Sequence, residues 1–227
     1  MKTEPIDYLL AAIFLSAIAA AAWASTAFLA VPIFRFLLGE YHVVADALVL
    51  LLAFGLVAAL AVRLLLLVRP LAPGDYSMDA SPFTRWKLLV VLSEFGRGAL
   101  GPFTTEFSKP LIARLYGARI GSNTALGGRM TDLPLITIGS GCIFGINSVV
   151  TGHAITSGRI VLREVRFGAD VTIGVGAVIM PGVEVGEGSI VAAGSIVTAG
   201  TTIPAGELWA GTPARRLKAI DASDARG

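Results

Sequence analysis

Two patterns of apolar residues divide the chain. At the front they are continuous: "YLLAAIFLSAIAAAAWASTAFLAV", Tyr8 to Val31, carries no charge over 24 residues, about 36 Å as a helix. Val43 to Val68 is equally apolar except for Asp46 and Arg63. Both stretches are long enough to cross a bilayer, and together they predict an N-terminal transmembrane α-helical hairpin over residues 1–69. "AWA" at Ala22–Ala24 looks like a signal-peptide cleavage site. However, "MKTEPID" sets Glu4 and Asp7 against one Lys, and the apolar run continues past that point. The hairpin is therefore the preferred reading.

Further on the pattern becomes a beat of six. Apolar residues stand at Phe167, Ile173, Ile179, Val185, Val191, Val197, Ile203 and Trp209. Gly176, Gly182, Gly188, Gly194, Gly200 and Gly206 each follow three residues after one of them. A helix of period 3.6 cannot keep such positions on one face. Short strands joined by tight corners can, with the aliphatic residue inward and glycine allowing a positive φ at the corner. Three strands make a triangular coil of 18 residues, so the expectation is a parallel β-helix over 120–214. Ile120, Leu126, Ile138, Phe144 and Val150 extend the phase backwards, with one lapse at Asp132. Phe167 follows Val150 at one position less than a full coil, so the phase slips there.

Residues 70–119 link the two patterns. "RPLAPGDY" is a turn-rich exit. "SPFTRWKLLVVLSEFGRGAL" has Ser81 as N-cap, Pro82 at the first helical position, and an apolar face of Phe83, Trp86, Leu89, Val90 and Phe95. Arg85, Trp86 and Lys87 suit an interfacial helix on the membrane surface, although packing against the spans fits too. A second helix is expected over Thr104–Leu115, and 215–227 as a basic C-terminal tail.

Composition agrees with a membrane protein. The chain is 55% hydrophobic and only 15% charged, with a mean hydropathy of +0.76. A formal net charge of +2 does not mark a nucleic-acid binder. Arg69, Arg85, Lys87 and Arg97 follow the second apolar stretch, against Arg35 alone in the connection. Both termini and the β-helix are therefore expected in the cytoplasm, at a bacterial inner membrane. The single cysteine, Cys142, excludes an intrachain disulfide and a multi-cysteine metal site, and reads as a small packed residue.

Of the two histidines, His42 lies in the short outer connection. His153 stands three residues after Val150, at an outward-pointing corner where the repeat breaks. Acyl transfer to a hydroxyl or amine needs a base, and imidazole titrates near neutrality. No Ser or Cys occupies a nucleophile elbow, so direct attack is the simpler chemistry. A zinc site of three histidines cannot be built from one soluble His, and no metal is expected. Asp132 is a carboxylate at an inward position, costly unless paired. In ideal phase it lies beneath Val150, about three residues or roughly 10 Å from His153. It either orients the imidazole through a local bulge or a second subunit, or caps a turn in "MTDLP". Arg159, in the broken stretch, is a candidate for an anionic acceptor or for Asp132, or a solvated loop residue. Asn147 reads as a left-handed corner residue.

The hexads and "WAGTPARRLK" resemble the hexapeptide-repeat acyltransferases, and "SVVTGHAI" is similar to their "TGHP" stretch, with Ala154 in place of proline. "APGDYSMDASPFTRWKLL", "LYGARIGSNT", "MTDLPLITIGSGC" and "GHAITSGRIVL" look like the membrane-attached terminal domains of nonribosomal-peptide-synthetase-like proteins of the polylysine synthase type. This chain has only one pair of spans and no adenylation or carrier domain. The resemblance implies a left-handed β-helix, a homotrimer, an acetyl-CoA or other acyl-CoA co-substrate, and His153 in the catalytic position. It implies a pantetheine arm along the edge formed by Val175, Ala193 and Gly211, which are 18 apart. Arg215 and Lys218 would meet the nucleotide phosphates, with Arg216 as a substitute; a solvated basic tail is the plainer reading. The expected activity is acyl transfer to a lipid-linked, glycan or small amine acceptor at the membrane. Amide-bond formation with a synthetase-like partner and a non-catalytic scaffold are the alternatives.

Overall fold

The computed structural model describes residues 3–220 and divides into two units. One comprises the chain up to Pro70 together with Asp79–Thr104; the other comprises Leu71–Met78 and the chain from Thr105 onward. The segment expected as a linker over 70–119 is thus shared between them.

In the helical unit, α1 (Pro5–Ser25) passes through a π turn at Thr26–Ala30 into α2 (Val31–Leu38). Gly39 has φ +55° and breaks the run before α3 (His42–Val68), which returns along α1. The contact uses small residues, including Ala22, Ala58 and Ala59, which let backbones approach closely. Large apolar side chains such as Leu9, Trp23, Phe28 and Leu67 are exposed. The helical stretch Pro5–Val68 is long and apolar enough to cross a membrane.

The helix expected at the bilayer surface, α4 (Ser81–Ala99), packs on α1 and α3. It buries Phe83, Trp86, Leu89 and Leu92, while Phe95 is exposed. The residues that suggested a surface role are otherwise engaged. Lys87 pairs with Asp7 and lies 4.4 Å above the Phe83 ring. Arg85 donates to the carbonyls of Leu65 and Arg69, capping the end of α3. The second helix is shorter than expected, with α5 confined to Lys109–Leu115.

In the second unit, three parallel sheets wrap into a β-helix. Face one stacks Ile120, Ile138, Phe167, Val185 and Ile203. Face two stacks Leu126, Phe144, Ile173, Val191 and Trp209. Face three stacks Met130, Val150, Ile179 and Val197. The hexad residues from Phe167 to Ile203 are all buried. The six hexad glycines hold φ between 66° and 79°, and Asn147 has φ +60°; a left-handed corner costs a side-chain-bearing residue most.

Two readings of phase are corrected. The position beneath Val150 belongs to Met130, not Asp132. The break after Val150 is not a coil one residue short. Val150 and Phe167 stand on neighbouring faces, separated by a single corner that one hexad would span, and the chain makes an excursion of almost two further hexads there.

The chain returns at its C-terminal end. Ala214–Ala219 pairs antiparallel with Glu207–Gly211, so residues 215–219 of the expected tail are strand, while 221–227 lie outside the described residues. Trp209 donates its indole N–H to Glu207 at 2.8 Å and Arg216 donates at 2.6 Å. These two partners hold the Glu207 carboxyl below the usual carboxylate range.

Cys142 is fully buried, and its thiol donates to the Gly168 carbonyl at 3.1 Å. Burial pushes the thiol up from its ordinary value. Thiol reagents are therefore expected to leave the folded protein unlabelled and to react only on unfolding, a difference that mass spectrometry reads directly.

Candidate functional site

The excursion is a β-hairpin at the corner between faces three and one. His153–Thr156 pairs antiparallel with Arg159–Leu162. Ser157 and Gly158, at φ +46° and +74°, form the two-residue turn. His153 is the first residue of this hairpin.

Beneath it, Asp132 adopts φ +55°, ψ +45° and starts a 3₁₀ turn, Leu133–Leu135. That left-handed backbone turns the carboxylate up toward the hairpin base. Its Oδ2 lies 2.5 Å from His153 Nδ1 and accepts from the Gly152 N–H at 3.2 Å and the Thr131 hydroxyl at 3.0 Å. The Asp132 side chain is fully buried, while that of His153 is 26% exposed. The local bulge that direct contact required is present, and the pair is made within one chain. Gly152 is part of the reason. A Cβ there would stand 3.1 Å from the Cβ atoms of both Asp132 and Leu135, a tight contact, and its absence lets the hairpin base settle on them.

A carboxylate at Nδ1 accepts the proton of the neutral ring and leaves the lone pair on Nε2. The arrangement is that of a base oriented by a buried acid. Thr151 adds a contact invisible in the sequence: its hydroxyl lies 3.3 Å from His153 Nδ1 and donates to the His153 carbonyl at 3.1 Å.

Arg159 is not brought to this pair. It opposes Thr156 at the far end of the hairpin and donates to the Asp75 carbonyl at 2.9 Å. Val175, Ala193 and Gly211 occupy the corner between faces two and three, a different edge of the prism from His153. The corner is stacked by the Gly194 N–H donating to the Val175 carbonyl at 2.8 Å and the Gly211 N–H donating to Ser195 Oγ at 3.1 Å. Ile146 joins this edge, its carbonyl accepting from the Gly176 N–H at 3.0 Å. Counting by coils missed Ile146 because the hairpin intervenes. Val175 and Ile146 are 56% and 66% exposed, so the edge is an apolar strip.

Register separates the basic residues of the returning strand. Arg215 opposes Ala210 and Lys218 opposes Leu208, which share one side of the ribbon. Arg216 opposes Trp209 on the other side, where it pairs with Glu207. Arg215 and Lys218 therefore project together and Arg216 does not substitute for them.

Residues 164–199 match the family model for bacterial transferase hexapeptide (six repeats). A hexapeptide-repeat-containing acetyltransferase from Vibrio cholerae O1 biovar eltor, solved with acetyl coenzyme A, aligns with a TM-score of 0.51 and 21% identity, over 64% of this chain and 92% of that one. The second unit has the hexapeptide-repeat β-helix fold. Two further hexapeptide-type likenesses are a maltose O-acetyltransferase from Clostridium difficile 630 (22% identity, 66% and 95% covered, TM-score 0.46) and a galactoside acetyltransferase in complex with coenzyme A (21%, 67% and 89%, 0.46). No curated protein matches the chain in sequence.

Proposed function

We propose that the chain is a membrane-anchored, acyl-CoA-dependent acyltransferase. It moves an acyl group, acetyl in the simplest case, to a hydroxyl or amine of a lipid-linked, glycan or small amine acceptor. The observation that carries this reading is the His153–Asp132 pair at 2.5 Å, on an outward corner of a hexapeptide β-helix. His153 Nε2 takes the proton of the acceptor X–H as X attacks the thioester carbonyl. The C–S bond then breaks, and the proton passes to the departing CoA thiolate.

The acyl-CoA edge and His153 lie on different corners, about one face or roughly 20 Å apart along the chain. A complete site therefore calls for two copies, with the edge of one beside the hairpin of the next. The outer residues favour such an assembly, proposed as a homotrimer. Face one carries Arg119, Thr137, Arg166, Glu184 and Thr202 outward. Face two carries Ala125, Ile143, Thr172, Ile190 and Leu208, and face three carries Arg129, Val149, Val178 and Ile196. These two mainly apolar faces meet at the Val175 edge.

The exposed apolar helices support bilayer insertion, and the basic residues beyond α3 support a cytoplasmic β-helix. The acceptor would then be met at the membrane. The test is transfer of labelled acetyl from acetyl-CoA to a membrane extract by the purified protein; no labelled product with any extract or amine would sink the reading. Replacing Arg215 and Lys218 together by alanine is expected to raise KM for acyl-CoA about tenfold or more, through lost phosphate contacts. Steady-state kinetics should show kcat unchanged.

A further inference from the structure

A third strand completes the hairpin, and it comes from far away in the chain. Gly74–Ser77 pairs antiparallel with Arg159–Leu162. It belongs to the segment Leu71–Met78, which leaves the helical unit after α3 and precedes α4 in sequence. Gly74, Leu162 and His153 stand abreast in one row across the three strands. A hairpin of two such short strands is marginal by itself, and three strands with a packed side are not. The packed side is present, since Ile160 and Leu162 are fully buried.

On the opposite side Asp75 opposes Val161, so it lies between Arg159 of that strand and Arg163 just past its end. Its Oδ1 pairs with Arg163 at 2.6 Å, and its carbonyl accepts from Arg159 at 2.9 Å. A slip of one residue would turn Asp75 toward the apolar side and away from Arg163. The ion pair is half-exposed on both partners, so its contribution is to register more than to bulk stability.

We propose that Asp75 is a positioning residue: it locks the Gly74–Ser77 strand in register on the hairpin and so fixes His153 at the start of that hairpin. The proposal rests on the reading of His153 as general base. Asp75→Arg places three cations side by side and should release the strand, while adding Arg163→Asp restores an opposite pair. The full-length protein is compared in detergent as wild type, Asp75→Arg, the double variant and His153→Ala. Amide hydrogen exchange over 153–162 and steady-state kinetics with acetyl-CoA are both measured.

In Asp75→Arg, exchange over 153–162 should rise and kcat should fall about 10- to 100-fold, the scale of a small misplacement of a catalytic group. KM for acetyl-CoA should not change, because neither Asp75 nor His153 is among the residues expected to hold coenzyme A. The double variant should recover both exchange and kcat. Unchanged exchange in Asp75→Arg, or a double variant that recovers neither, overturns the proposal. So does faster exchange with undiminished kcat, provided His153→Ala is inactive. If His153→Ala keeps full activity, the general-base reading fails instead, and the exchange data still decide whether Asp75 holds the strand.

Discussion

His153→Ala is expected to lower acyl transfer by about two to four orders of magnitude, the usual contribution of a positioned general base. Its ring is the only imidazole in the β-helix unit. Water would be left to take the acceptor proton, and a neutral hydroxyl or amine attacks a thioester poorly without a base. Binding should be spared. The substitution removes a side chain that is one-quarter exposed and is not among the residues expected to hold coenzyme A. Coenzyme A affinity and oligomeric size should therefore equal those of the wild type. Transfer to membrane extract, CoA titration and light scattering check the three parts. Equal turnover in variant and wild type would remove His153 from the chemistry.

Asp132→Asn should cost almost as much, about 10²- to 10⁴-fold in kcat, by analogy with a triad acid replaced by its amide. The amide is close in size and tolerates the left-handed backbone at φ +55°. Its oxygen can keep the Gly152 bond only by facing the ring as well, because one atom, Oδ2, meets both. What changes is the proton at Nδ1. If the amide presents its N–H₂ group to the ring, the imidazole must accept at Nδ1 and carry its proton on Nε2, the atom needed as base. Stability should fall less than in Asp132→Ala, because asparagine keeps the side-chain volume and tolerates the backbone. Asp132→Ala would lose activity and stability together, because Gly152 N–H loses a buried acceptor and alanine resists the positive φ. Thermal unfolding beside kinetics separates the two variants. An Asp132→Asn enzyme with wild-type kcat would show that the carboxylate serves the fold and not the base.

The β-helix was legible because its period is enforced at every corner. An aliphatic residue every six and a glycine three later leave few other structures, and Phe167 to Ile203 are buried as that spacing requires. His153 was legible for the converse reason, as an outward polar residue where the period fails. Counting went astray where backbone conformation altered the path. Asp132 was assigned an inward place, but its positive φ raised the carboxylate to the histidine, and Met130 took the inward position instead. The hairpin hid the alignment of Ile146 with Val175 by inserting extra chain between equivalent corners. Arg85 and Lys87 suited a helix at the membrane surface, and the partners they have, a helix end and Asp7, come from distant sequence. The Gly74–Ser77 strand gave no signal at all: so short a strand has too little alternation to read, and its partner lies in the far half of the chain.

The returning strand has one more effect. Every coil of a parallel β-helix ends in open backbone donors and acceptors, and another chain of the same rise can add to that end as readily as the next coil does. Ala214–Ala219 closes face two with a strand running the opposite way, so the last parallel ladder cannot be continued there. Faces one and three finish in the strands Thr202–Ile203 and Ile196–Val197. At the other end, Arg114 donates to the carbonyls of Ile120 and Gly121 at 2.9 and 2.7 Å, occupying acceptors on the first coil. A repetitive stack that could in principle lengthen into a filament is thereby checked on face two at one end and at the first coil's carbonyls at the other.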